Sequence, residues 1–166
     1  MQQKSCPSSV KPTDTAILAQ VTKLASPYKG KEDMLIQVLK KVQTVVGHSS
    51  ISKDVAIVVA EAMDIPLINV YEVASFYSMF ATTPRGKNVI RVCKSAPCHV
   101  KGAAEVMEAI SKALGVQFGE TTPDEKFTLE TCECLGICAV SPAMMINDDV
   151  YGELTPEKAV EIIKNY

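Results

Sequence analysis

An α+β fold is predicted, with a helical bundle in the N-terminal half and a small mixed sheet packed with helices in the C-terminal half. Three observations carry this. Apolar residues recur at helical spacing as far as about residue 75. After Thr82-Thr83-Pro84-Arg85-Gly86, a turn by its Pro and Gly content, the pattern shortens to strand-like runs. A helical stretch then separates the first of these runs from the others, as in a small α/β unit. The 166 residues are accordingly divided into a leader over 1–13, a helical domain over 14–81 and an α/β domain over 82–166. With 47% hydrophobic residues, each domain can bury a core.

In the first half, Ile17, Leu18, Val21, Leu24 and Ala25 give one face of a helix from Asp14 to about Ser26, stopped by Pro27. A second helix follows Gly30, with Leu35, Val38, Leu39, Val42, Val45 and Val46 on its apolar face until Gly47. His48 is read as a turn residue. Ser52 can cap a third helix whose buried stripe is Val55, Val58, Val59, Ala62 and Met63, with Asp54 favourable in its first turn. Pro66 restarts the chain, and Leu67 to Ser75 reads as a fourth helix. It leads into an aromatic run. Tyr71, Phe76, Tyr77 and Phe80 are expected to pack between the two domains or to meet a partner.

In the second half, Asn88 to Cys93 reads as a strand and Lys101 to Leu114 as a helix closed by Gly115. Phe127 to Glu133, Ala143 to Asn147 and Val150 to Gly152 read as further strands, the last after an Asp148-Asp149 turn. Thr155-Pro156-Glu157 opens a final helix with a capping hydroxyl, proline at the first helical position and an acid near the positive end.

A formal net charge of -2 gives no basic footprint for nucleic acid, and no apolar run is long enough to span a bilayer. The N-terminus lacks the apolar run of a secretory signal, so the cytoplasm is the expected location. In that reducing setting the six cysteines are expected to be metal ligands or free thiols.

Four of them form two spaced pairs, Cys93 and Cys98 in V-C-K-S-A-P-C-H, and Cys134 and Cys138 in E-C-L-G-I-C-A. On loops that follow strands, such pairs suit an iron–sulfur cluster, which takes soft anionic ligands with backbone N–H groups directed at the sulfurs. Gly136 allows the second loop to turn back sharply, and Pro97 stiffens the first. The C-x2-C knuckle common in structural zinc sites is absent, as is the C-x-x-C of dithiol exchange. Zinc stays open as an alternative, in which the chain is a non-redox scaffold. Cys132 makes three thiols for two places in C-E-C-L-G-I-C. The tighter loop favours Cys134, leaving Cys132 as a small apolar residue at a strand end or a substitute ligand. Cys6 is read as a spare thiol in a Ser/Pro-rich leader. With all-thiolate ligation the reduction potential should be low, on the order of -400 mV. Lys94, His99 and Lys101 would raise it, or are simply solvated.

The segments I-P-L-I-N-V-Y-E-V-A-S-F-Y-S-M-F, V-C-K-S-A-P-C-H-V-K-G-A and T-L-E-T-C-E-C-L-G-I-C, followed by S-P-A-M-M-I-N, resemble the thioredoxin-like [2Fe-2S] subunit family. That family is shared by NADH:quinone oxidoreductase (the E-type chain of complex I), NAD-linked and electron-bifurcating [FeFe]-hydrogenases, and NAD-dependent formate dehydrogenases. The resemblance runs from about Asp14 to the end and implies a helical unit followed by a thioredoxin-like domain. It carries the four ligands onto Cys93, Cys98, Cys134 and Cys138, while Cys132 departs from the family's usual apolar residue. It further implies a flavoprotein partner that holds FMN, the NAD(P)(H) site and further iron–sulfur clusters. Hydride chemistry would then stay with the partner. The chain itself has no G-x-G-x-x-G after a strand and no Walker loop, which agrees. The preferred parent is a soluble NAD(P)-linked hydrogenase with an [FeFe] catalytic subunit, with electron bifurcation left open.

Overall fold

The computed structural model describes residues 14–46 and 50–166. The leader with Cys6, and the residues from Gly47 to Ser49 with His48, lie outside the described residues. The chain divides into two units, the first ending at Pro84 and the second running Arg85–Tyr166.

The first unit is built from α1 (Thr15–Ala25), α2 (Leu35–Val45), α3 (Lys53–Met63) and α4 (Leu67–Phe76). Pro27 ends α1 by sitting in a single 3-10 turn over Ser26–Tyr28, because its ring tolerates a helical first turn but cannot continue the ladder. The second helix starts at Leu35, where its apolar face begins, and not directly after Gly30 as expected. Acidic Glu32 and Asp33 form a separate 3-10 turn with Met34 before Leu35. Ser52 caps α3 by accepting the Val55 N–H at 3.4 Å, and Asp64 ends it in the left-handed region at φ 55°. Val21, Leu39, Val42, Val55, Val59, Met63 and Val70 fill the core. Each large side chain removed from water there contributes roughly 1.5–3 kcal/mol before chain entropy is counted. Within the aromatic run only Phe80 is buried; Tyr77 packs against the same core, while Tyr71 and Phe76 are exposed, Phe76 to 81%.

The second unit holds a four-stranded sheet in the order β2-β1-β3-β4. Its strands are β1 (Asn88–Cys93), β2 (Phe127–Cys132), β3 (Met144–Ile146) and β4 (Asp149–Tyr151), joined by α5 (Ala96–Val100) and α6 (Ala103–Leu114) and followed by α7 (Pro156–Lys164). Central β1 pairs in parallel with β2 and antiparallel with β3. The sheet is therefore mixed, and the fold is the α+β, thioredoxin-like architecture. Ile90 and Val92 point to one face with their neighbours Leu129, Met144 and Ile146, where Val106 and Ile110 of α6 and Ala159 and Ile163 of α7 cover them. Period-2 alternation then sends Arg91 and Cys93 to the other face, beside Glu130 and Cys132.

Thr155 caps α7 by accepting the Lys158 N–H at 3.2 Å. The short hairpin turns at Asn147 and Asp148, with Asn147 at φ 54°, so β3 is shorter than its sequence run and β4 begins one residue earlier than expected, at Asp149. Among the described residues no helix is long and apolar enough to cross a membrane.

Candidate metal centre

The carboxyl ends of the parallel strands β1 and β2 bring the cysteines together. Cys93 is the last residue of β1 and 1% exposed; Cys98 lies in α5 and is 2% exposed. The expected loop between them is instead a helix entry. Ser95 is its N-cap residue and Pro97 falls in the first turn, where a missing N–H leaves no bond unmade. This one turn of helix brings the Cys98 thiol back beside Cys93, and the two are buried in one small cluster. Ala103 and Ala143 are buried with the pair, and Cys132, Leu135 and Ile137 pack against it.

Cys134 and Cys138 lie beyond β2, both exposed, with their sulfurs 3.6 Å apart. Gly136 sits between them at φ +80°, a conformation open to glycine at little cost, and its N–H points at the Cys134 sulfur at 3.3 Å. Cys138 opens a 3-10 turn, Cys138–Val140. The expectation of two loop-borne pairs is thus corrected: Cys93 is in a strand, Cys98 in a helix, and only Cys134 in an irregular loop.

The electrostatics divide the thiols. Burial alone would raise the Cys93 thiol, but backbone hydrogen bonding at Ser95, the Cys98 thiol and backbone hydrogen bonding at Leu135 together hold it below its ordinary value. Cys98 is pushed up by burial and by Cys93, against a backbone hydrogen bond from Ala143. Cys138 is pushed up by its hydrogen bond to Cys134 and by the negative charge there. Cys132 is pushed up to about 11 by burial and the nearby Cys93. Thiolates gathered this closely repel one another, and a shared cation reverses that penalty.

Among the described residues no three or more Cys, His, Asp or Glu donors converge as a single ion would need. The sulfurs come as two pairs, Cys93 with Cys98 and Cys134 with Cys138. Such an arrangement suits a centre with two metal atoms, two sulfurs to each, and backbone N–H groups already face sulfur at Gly136.

Other sequence-marked residues have defined places. The Lys94 ammonium pairs with Glu133 at 2.9 Å, so its charge is matched locally. His99 is exposed in α5 and Lys101 follows that helix. Sequence reasoning set Cys132 against Cys134; the structure sets it opposite Cys93 in the β1–β2 register. The backbone hydrogen bond from Leu135, which ties the second loop to the first thiol pair, leaves no mark in residue type.

Two thiol pairs at the end of a small sheet, with an amide turned toward sulfur, are a donor arrangement of the kind an iron–sulfur cluster takes. The chain belongs to the thioredoxin-like [2Fe-2S] ferredoxin family, whose model matches residues 21–166. It is 41% identical over 136 residues to the NADP-reducing hydrogenase subunit HndA of Solidesulfovibrio fructosivorans, covering 82% of this chain and 78% of that one. It is 46% identical over 105 residues to the E chain of the NADH-quinone oxidoreductase of Rickettsia bellii, covering 63% of each chain. The chain thus spans a little under two thirds of the length of that Rickettsia relative. Among solved structures, an NAD+-reducing [NiFe]-hydrogenase in the air-oxidised state shares the fold with a TM-score of 0.69 at 21% identity, covering 87% of this chain and 23% of the other.

Proposed function

We propose that Cys93, Cys98, Cys134 and Cys138 hold a [2Fe-2S] cluster, and that the chain is an electron-transfer subunit of an NAD(P)-linked oxidoreductase complex. The observation that carries this reading is the pairing of the four thiols, one pair buried together, the other 3.6 Å apart at the surface. When bound, the cluster takes up and returns one electron at a time.

The chain's own contribution is positional. Strand β1 and helix α5 fix the inner pair in an apolar setting with Ala103 and Ala143. The Gly136 turn keeps the outer pair at the surface, within reach of a redox partner. The partner is a flavoprotein that binds FMN and NAD(P)(H) and carries out the hydride step.

For the parent complex we favour a hydrogenase with an [FeFe] catalytic subunit, acting in the cytoplasm. Support comes from the HndA relative, whose match extends over more of both chains than that of the Rickettsia bellii protein. The second reading, a subunit of NADH:quinone oxidoreductase, is supported by the higher identity of the Rickettsia relative over its shorter span. An NAD-dependent formate dehydrogenase would use the same parts.

Anaerobic purification of the native complex tests both levels. The expected result is iron and acid-labile sulfide in this chain, an EPR signal after dithionite, and H2-dependent NAD(P) reduction by the complex. Stoichiometric zinc in a colourless, EPR-silent chain would end the redox reading. Iron with NADH-dependent quinone reduction and no hydrogenase activity would transfer the chain to the second parent.

A further inference from the structure

We infer that Cys132 is a reserve ligand for the inner half of the site, able to take the place of Cys93. The inference rests on the cluster reading above and extends it to a fifth thiol. Cys93 and Cys132 are direct partners in the parallel β1–β2 ladder. Neighbouring strands lie about 4.8 Å apart, and residues in register point to the same face. Cys132 also packs against the small cluster formed by Cys93, Cys98, Ala103 and Ala143. It is half-buried, which keeps it close to the inner pair without filling the inner position.

Cys132 is the last residue of β2, and its carbonyl accepts the Lys94 N–H at 3.0 Å, one residue beyond Cys93, so its backbone is held beside the inner pair. In the exchange Cys132 gives its thiol proton to solvent. Its sulfur then donates the electron pair that Cys93 would have supplied, and no electron is gained or lost. The outer pair, Cys134 and Cys138, has no such neighbour in register.

The test compares full-length Cys93→Ala, Cys132→Ala and the double variant with the unaltered chain, all purified anaerobically. Iron and sulfide per chain, the EPR spectrum after dithionite, and a thermal melt by circular dichroism are measured. Cys132→Ala should match the unaltered chain in all of these. Cys93→Ala should keep most of its iron and sulfide with shifted g-values, and the double variant should lose roughly tenfold or more of both. Equal iron in Cys93→Ala and the double variant, whether retained or lost, would overturn the inference. Should Cys93→Ala not melt cooperatively, Cys93→Ser and Cys93→Ser/Cys132→Ala replace it, and identical spectra from those two would overturn it equally. An unaltered chain without iron or sulfide would instead overturn the cluster reading itself.

Discussion

Gly152 lies so close to Val140 that a Cβ added at 152 would sit 2.5 Å from Val140 Cγ2 and 2.7 Å from its carbonyl oxygen. Val140 ends the 3-10 turn that begins at Cys138, and its carbonyl accepts the Glu153 N–H at 2.6 Å. The glycine therefore sets how near the outer cysteine loop can come to the segment entering α7. Gly152→Ala should cost about 1–3 kcal/mol of stability through overpacking, read from chemical denaturation, and should displace Cys138 enough to reduce iron retained per chain.

The Arg85 guanidinium, 6% exposed, donates Nε–H to Glu130 at 2.6 Å, and Glu130 takes Arg91 Nε–H at 2.9 Å on its other oxygen. The carboxylate thus joins β1 and β2 to the start of the second unit. Glu130→Ala should destabilise that unit by about 2–3 kcal/mol, because buried Arg85 loses a charge-assisted partner. Arg91→Ala should cost less, since that side chain is 26% exposed. Denaturant midpoints of the two variants give the comparison, and a larger loss for Arg91→Ala would contradict it.

The two neighbouring cysteines Cys132 and Cys134 should behave oppositely. Cys134 faces Cys138 and receives the Gly136 N–H, whereas Cys132 is turned toward Cys93. Cys134→Ala should abolish the cluster, and Cys132→Ala should leave iron content and EPR spectrum largely unchanged. Iron and sulfide assays on the two variants decide the matter; reversed outcomes would reassign the third ligand.

Acid should weaken the second unit by a route that can be traced to two carboxylates. Asp124 accepts from the Thr122 hydroxyl and the Lys126 N–H, and these bonds hold it below its ordinary value of 3.8. Glu157, hydrogen-bonded to its own backbone N–H and to Thr155 in the first turn of α7, is held below 4.5. Because the folded values are the lower ones, this stability is complete above the ordinary values and is lost as pH falls through the folded ones. Asp124→Asn should flatten the decline in urea midpoint between about pH 5 and pH 3. An unchanged slope would remove Asp124 from the account.

Much of this was legible in the sequence because local chemistry and tertiary structure agree. The Ser52 and Thr155 caps, the glycine turn at 136, the apolar faces of α3 and α6 and the mixed sheet all follow from residue types at fixed spacing. What was hidden depended on partners far along the chain. Helix α5 is too short to show a period, and its proline reads equally well as a loop residue. The position of Cys132 depends on β1–β2 register, which joins residues 39 apart in sequence by backbone pairing alone. The bond from Leu135 to the Cys93 sulfur comes from a main-chain group, and every residue but proline has one.

The contrast between a sealed inner pair and an open outer pair gives the site a direction of wear. Oxygen or a chelator arriving from water meets Cys134 and Cys138 before it can touch Cys93 or Cys98, whose strand and helix belong to the framework of the sheet. Attack on the site should therefore begin outside the strand β1 and helix α5 that carry the inner pair.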